Sequence, residues 1–315
     1  MRSPTDSHFD VIIIGSGTSA YYCATPLIEA GKKVAMIDER PFGGTCALRG
    51  CQPKKYLVAN ADAVAMARHL VGKGIVEAPK TDWKALQALK NQFLEGRSEE
   101  DFEDWREAGA TAILARARLV AEDAVEVGGQ RLTADRIVLA TGGSPTKMDV
   151  PGKEFIGISD DFLDLPELPE RIVFVGGGYI SFEFAFVAAY AGAKVTILQR
   201  SDHVLKGFEQ EMVGIVLEAA RELGIDVRMG EEIARVDKER GGLKITTKKD
   251  SMIEADLAIE AIGRLPNLSV LEGDKGNVAH SRKGVEVNEF LQSVSNPRVF
   301  AIGDCAASGP ALAPV

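Results

Sequence analysis

Cys46 and Cys51 lie in the run Gly43-Gly44-Thr45-Cys46-Ala47-Leu48-Arg49-Gly50-Cys51-Gln52-Pro53-Lys54-Lys55. Two thiols that can close on each other, followed by fixed positive charge, suit a redox-active disulfide held against a cofactor. The bland alternative is a pair of small packing residues, because free cysteine behaves as a small hydrophobe. The spacing has a geometric consequence. Along one straight helix, five positions rise ~7.5 Å, beyond the ~7 Å Cα limit for an unstrained bridge. A bridge therefore needs a bent first turn, and Gly50 eases that bend. A strained bridge is the easier to reduce. Lys54 and Lys55 would lower the cost of the thiolates that result.

The rest of the chain must position this pair. Its 315 residues suggest two domains. An apolar fraction of 45% with 26% charged residues is ordinary for a globular protein, so a sizeable core can form. A net charge of −9 argues against nucleic acid and against an anionic membrane surface as main partners. Residues 1–8 lack an apolar core of the signal-peptide kind, and no apolar run is long enough to span a bilayer. The other cysteines, Cys23 and Cys305, need no redox role, and four thiols in so long a chain are not a secreted disulfide framework. A reducing cytoplasm is the expected location. No metal site is expected.

Two nucleotide-binding units are legible. Val11–Ile14 is a fully apolar strand, followed by Gly15-Ser16-Gly17-Thr18-Ser19-Ala20, a helix to about Glu29, and a strand from Lys33 to Ile37 ending in Asp38. Gly-x-Gly-x-x-Ala makes a tight turn, lets backbone approach a pyrophosphate, and aims free N–H groups at it. An acid about twenty residues on binds ribose hydroxyls. The pattern repeats with the strand 171–175, the turn Gly176-Gly177-Gly178-Tyr179-Ile180-Ser181, a helix ended by Gly192, and a strand 194–198. This second strand ends in Gln199 and Arg200, with Lys206 close by, so two cations stand ready to pair a 2′-phosphate where an acid would read a ribose. Short strands follow each unit, over 113–120 and 125–127 in the first half and over 226–236 and 243–247 in the second. Each half then has an apolar strand running to a glycine, at 137–142 and 257–263. A linker is expected at 146–152. A charged helical stretch is expected over 84–108, with Trp83, Leu86, Leu89 and Phe93 as its apolar face. Arg298 to Asp304 reads as a buried strand returning to the first domain. The expected fold class is α/β, with two Rossmann-like dinucleotide-binding domains of the three-layer β/β/α type and the first domain discontinuous.

With these residues assembled, the chain resembles the flavoprotein disulfide reductases of the glutathione reductase, mercuric reductase and dihydrolipoamide dehydrogenase type. The resemblance rests on the Gly15 turn, the Cys46–Cys51 segment, Ala140-Thr141-Gly142, the Gly176 turn with Glu183, Gly263-Arg264-Leu265-Pro266-Asn267, and Gly303-Asp304. It implies an FAD domain over 1–150 and 273–315 and an NADPH domain over 151–272. It implies FAD held by Gly15, Gly17, Thr18, Ser19, Asp38, Gly44, Thr45, Cys46, Lys54, Ala117, Thr141, Gly142, Asp304 and Ala313. NADPH would be held by Gly176, Gly177, Gly178, Tyr179, Ile180, Glu183, Arg200, Lys206, Gly263 and Arg264, with Tyr179 covering the nicotinamide pocket. The catalytic residues implied are Cys46, which would attack substrate, Cys51, which would face the flavin, and Lys54, which would lie near the flavin and pair with Glu183.

The activity implied is electron transfer from NADPH through FAD to the Cys46–Cys51 disulfide and on to a small-molecule disulfide or a related thiol or metal substrate, with a glutathione-like disulfide or mercuric ion as the runner-up substrate class. A catalytically silent flavin-binding fragment is the alternative. Thr25 stands where glutathione reductases carry an arginine, and Ala313 where a threonine is common. The family's C-terminal interface domain is not found before Val315, so a homodimer is expected only where that domain is present.

Overall fold

The computed structural model describes residues 7–273 and 275–309. Its contacts divide the chain into two units, Met1–Cys51 with Leu94–Ser144 and Arg264–Val315, and Gln52–Phe93 with Pro145–Gly263. In chain order the first elements are β1 (Ser7–Ile14), α1 (Thr18–Glu29), β2 (Val34–Asp38), α2 (Gly44–Leu48), α3 (Cys51–His69), α4 (Trp83–Leu94), α5 (Arg97–Glu107), β3 (Thr111–Leu114), β4 (Ala117–Ala121), β5 (Ala124–Val127) and β6 (Gln130–Leu139).

In the first unit, β3, β2, β1 and β6 pair in parallel, and the strand Val299–Ala301 adds beside the end of β6. The start of β6 pairs instead with β5, which turns back to β4, so one ten-residue strand serves a parallel sheet and an antiparallel meander. Alternation decides the layers. Ile12, Ile14, Ala35 and Ile37 pack against Ala117, Leu119, Val125 and Val127 of the meander. Val11, Ile13, Val34 and Met36 face the other way, onto Ala20 and Ala24 of α1 and Phe102 and Trp105 of α5. Meander, sheet and helices make three layers.

The second unit repeats the plan. A parallel sheet runs in the order Asp226–Met229, Lys194–Gln199, Arg171–Val175, Leu257–Glu260. A meander of Ile233–Glu239, Gly242–Thr247 and Met252–Ala255 packs on one face through Val173, Val175, Leu198, Val236 and Ile245. Phe174 points to the opposite face. There it meets Phe162 of α6 (Ser159–Leu163) and Phe184 of α7 (Tyr179–Ala191), at ring separations of 5.4 and 6.4 Å. Helix α8 (Gln210–Glu222) follows.

Several expected elements are cut differently. The run 113–120 is two strands: the Ala115 N–H bonds the Asp38 carbonyl at 2.8 Å, ending β3, and β4 starts in the meander. The run 226–236 breaks in the same way, where Gly230 and Glu231 donate to Ser201 and Gln199. Apolar alternation continues across the first break, so periodicity alone cannot see it, whereas Gly230-Glu231-Glu232 interrupts it at the second. The helical stretch 84–108 is α4 and α5, parted at Gly96, whose φ is +76°. Its apolar face is also corrected. Trp83 and Leu86 are buried, but Leu89 is 53% exposed, and Gln87 and Lys90 take the buried stripe. Position 90 is seven residues from Trp83, two full turns, whereas 89 falls off that line.

Candidate functional site

In the first unit, a cavity of about 560 Å³ opens at the C-terminal ends of β1 and β2. Gly15 turns the chain there with φ +116°, and a Cβ would strike the Ala140 carbonyl oxygen. The Gly44 backbone approaches Gly17 so closely that any side chain on Gly44 would collide with it. This leaves backbone N–H groups at the start of α1 facing open space, as a pyrophosphate requires. Asp38 ends β2, and its Oδ2 accepts from the Ser16 N–H at 2.8 Å and the Ser16 hydroxyl at 2.7 Å. Its Oδ1 accepts from the Arg40 N–H at 2.9 Å. A carboxylate has about four acceptor sites, so one remains for a ribose hydroxyl. Ser16, missed as a site residue in the sequence, therefore aims the acid; its place inside the glycine motif was the available signal.

The same cavity is lined by Gly17, Thr18, Ser19, Thr45, Ala117, Thr141, Gly142, Arg264 and Asp304, and by both Cys46 and Cys51. Arg264, assigned with the second nucleotide in the sequence, reaches the Gly143 carbonyl in the first unit. The Thr141 hydroxyl donates to the Asn267 carbonyl at 2.6 Å, which fixes the floor. Arg49 and Asn267, which lie inside the quoted motifs but carry no assigned role, and Ser269 line the cavity too. These donors, the cradle free of side chains at Gly15 and Gly44, and the spare acceptor on Asp38 fit a dinucleotide. Ala313 lies outside the described residues.

Cys46 sits in α2, which ends at Leu48, and Cys51 begins α3. The helix is thus broken between them, at Arg49 and Gly50. Gly50 is there for closeness and not for left-handed backbone: a Cβ on it would lie 3.0 Å from the Thr45 carbonyl oxygen. Cys46, Cys51 and Cys23 are half-buried, and Cys305 is buried. Burial pushes the Cys23 and Cys305 thiols up, which suits packing residues.

The second unit carries the remaining residues. Lys54, Leu57, Ala61 and Val64 form the buried stripe of α3. A lysine on such a stripe needs a partner, and Lys54 Nζ lies 2.7 Å from Glu183 Oε1 in the second turn of α7. At the turn before α7, Gly176 has φ +107° and the Gly177 N–H donates to Gln199 Oε1 at 2.9 Å. Ser16 to Asp38 and Gly177 to Gln199 are both separated by 22 residues, so the duplication holds at the level of a single hydrogen bond. Gln199 keeps the bond without the charge, and its amide also donates to the Ser201 hydroxyl and the His203 carbonyl. Arg200 and Lys206 are exposed, with no hydrogen bond or ion pair at either side chain among the described residues. Gly178 caps α7, Tyr179 and Ile180 open it, and Ile180 is buried. Gly263 has φ +116° with open space around it. No helix among the described residues is long and apolar enough to cross a membrane.

Over 301 residues the chain is 34% identical to glutathione reductase of Burkholderia cepacia, covering 94% of this chain and 66% of that one. It is 31% identical to mercuric reductase of Staphylococcus aureus, covering 95% of this chain and 56% of the relative. It is 31% identical to dihydrolipoyl dehydrogenase of Chlamydia pneumoniae, covering 94% and 65%. The chain thus spans about two thirds or less of these relatives' lengths. The solved structure of the HOCl-induced flavoprotein disulfide reductase RclA from Escherichia coli shares the fold, with a TM-score of 0.86 at 24% identity over 96% of this chain and 67% of that one. A sequence model of the pyridine nucleotide-disulphide oxidoreductases matches residues 9–315, and the chain belongs to that family.

Proposed function

We propose that this chain passes two electrons from NADPH through FAD to a Cys46–Cys51 disulfide, and from the resulting dithiol to a small-molecule disulfide. One observation carries the reading: the Gly15 turn, Asp38, Asp304 and both cysteines line a single cavity. When bound, FAD supplies a ring that accepts hydride from a nicotinamide and passes an electron pair to a disulfide. The chain's residues do the rest. Asp38 and the α1 N-terminus hold the adenosine and pyrophosphate. Lys54, three residues after Cys51 on one helix, supports developing negative charge while Glu183 compensates its own. Opening the disulfide breaks the S–S bond and leaves an electron pair on the two sulfurs. The Cys46 thiolate then attacks the acceptor disulfide, forming a mixed disulfide and expelling one thiol that takes a proton from solvent; the Cys51 thiolate attacks Cys46 in turn, re-forming the Cys46–Cys51 bond and releasing the second thiol with another solvent proton.

NADPH is the preferred donor in this reading, supported by neutral Gln199 and by Arg200 and Lys206. A metal-ion acceptor is the second reading, favoured by similarity to a mercuric reductase over 95% of this chain and by two soft sulfur ligands in one cavity. A homodimer is proposed where the family's interface domain is present.

Anaerobic titration with NADPH, followed by alkylation and peptide mass spectrometry, tests the path. Bleaching of bound flavin with two new thiols at positions 46 and 51 is expected. Flavin that NADPH does not bleach would indicate a silent flavin-binding chain, and bleaching without new thiols would remove the disulfide step.

A further inference from the structure

We infer that Arg49 sets the redox poise of the Cys46–Cys51 pair by placing a permanent positive charge beside the reduced state. This rests on the reading of the pair as redox-active. Among the cations of the motif, Lys54 is committed to Glu183 at 2.7 Å, and Lys55 is exposed to solvent. Neither is among the residues lining the cavity of the first unit, whereas Arg49 lines it together with both cysteines.

Local geometry keeps Arg49 there. Its N–H donates to the Thr45 carbonyl at 2.9 Å, closing the last turn of α2. Gly50 then packs on Thr45 in a space no larger residue could enter without displacing it. Arg49 caps the end of α2 three positions after Cys46, and Cys51 follows two residues later. The Nε of Arg49 is shielded from solvent. A guanidinium does not lose its proton in a protein, and a charge out of bulk water acts more strongly on its neighbours.

Asp38, Glu39, Arg40, Arg264 and Asp304 also line the cavity. Asp38 is held by Ser16 and the Arg40 backbone, and Glu39 lies 3.8 Å from Arg116. Asp304 and Arg264 sit at other strand ends of the same wall. Asp101 of α5 approaches Gly43, and burial raises its carboxyl above the usual range.

The disulfide is neutral and the reduced pair bears the added electron density, so a fixed cation favours reduction. In exchange with glutathione, the protein S–S bond breaks, two glutathione thiols are oxidised to one glutathione disulfide, and their protons pass to the protein thiols or to solvent. Stabilising the reduced form makes the pair a stronger oxidant.

The test equilibrates the purified flavoprotein with glutathione buffers of graded ratio, then quenches with acid, alkylates, and counts thiols at 46 and 51 by mass spectrometry. Arg49→Met should shift the equilibrium at least tenfold toward the disulfide, or about 30 mV. Arg49→Lys, which keeps the charge, should stay within about threefold of the unmodified protein. Arg49→Gln serves if the methionine variant does not fold, and an unchanged alkylation rate at half-buried Cys23 reports an intact fold. An unshifted equilibrium in the neutral variant, or an equal shift in the lysine variant, overturns the inference. Because glutathione replaces NADPH here, failure of the nicotinamide path would show only in the NADPH titration.

Discussion

Single residues decide two properties of the second unit. Arg200 and Lys206 are exposed beside Gln199, with no side-chain hydrogen bond or ion pair among the described residues, and Gln199 bonds the Gly177 N–H without adding negative charge. Arg200→Glu should therefore lower the preference for NADPH over NADH by tenfold or more, from the loss of one charge-assisted contact worth about 1.5–3 kcal/mol and the gain of repulsion. Rates of flavin reduction by the two donors measure this, and an unchanged ratio would mean that these cations do not meet the 2′-phosphate. Glu183 partners a lysine that is only 8% exposed. Glu183→Ala leaves that ammonium buried, which should destabilise the fold by about 1–3 kcal/mol, less than a fully buried pair because Glu183 itself is partly solvated. Urea unfolding should show most of that loss recovered when Lys54→Met is added, since the unpaired charge goes with it.

At the scale of elements, α4 shows how a helix can hide a charge. Lys90 is fully buried, and its Nζ donates to the Leu163 carbonyl at 2.5 Å and lies 3.3 Å from Asp164. Burial pulls its ammonium below the usual lysine range, opposed by Asp164. The sign follows from linkage. A base depressed in the fold binds fewer protons there than in the unfolded chain, so stability rises with pH from the folded value up to the unfolded value near 10.5. Lys90→Met should lose this alkaline gain, and urea midpoints of the two proteins between about pH 8 and 10 would diverge in favour of the unmodified one. Parallel curves would place the Lys90 charge outside the stability balance. On the same helix, Leu86→Ala should cost about 2–5 kcal/mol, and Leu89→Gln less than about 0.5 kcal/mol, because Leu86 is 8% and Leu89 53% exposed.

For the whole molecule, the duplicated plan predicts two separately protectable nucleotide sites. Adding FAD to flavin-depleted protein should slow amide exchange around Gly15–Asp38 and Gly44–Gly50. Adenosine 2′,5′-bisphosphate should instead slow it around Gly176–Lys206, since a ligand stabilises only the elements that bind it. Exchange read by mass spectrometry would contradict the assignment if the bisphosphate protected the Gly15 turn.

Much of this plan was legible because its signals are local. A glycine turn between an apolar strand and a helix, with an acid or an amide a fixed distance on, needs no partner elsewhere to be recognised. The repeat of that pattern carried the three-layer fold. The paired cysteines, with a glycine before the second, announced a bent turn, and α2 does end between them. Other features depended on contacts distant in the chain. The breaks at Ala115 and Gly230 arise where a neighbouring strand end captures the backbone N–H groups, which alternation in one strand cannot report. Lys90 took the position expected of a leucine because helical phase was set by packing on α6, 73 residues away, where a carbonyl awaited a donor. The single cavity joining the Gly15 turn, both cysteines, Arg49 and Asp304 draws on segments some 290 residues apart. The sequence alone determined which turns could bind phosphate and which thiols could carry electrons. Only tertiary structure decided that the Gly15 turn and the two thiols line one cavity, because side-chain direction follows from strand pairing and burial, and both are set by the rest of the chain.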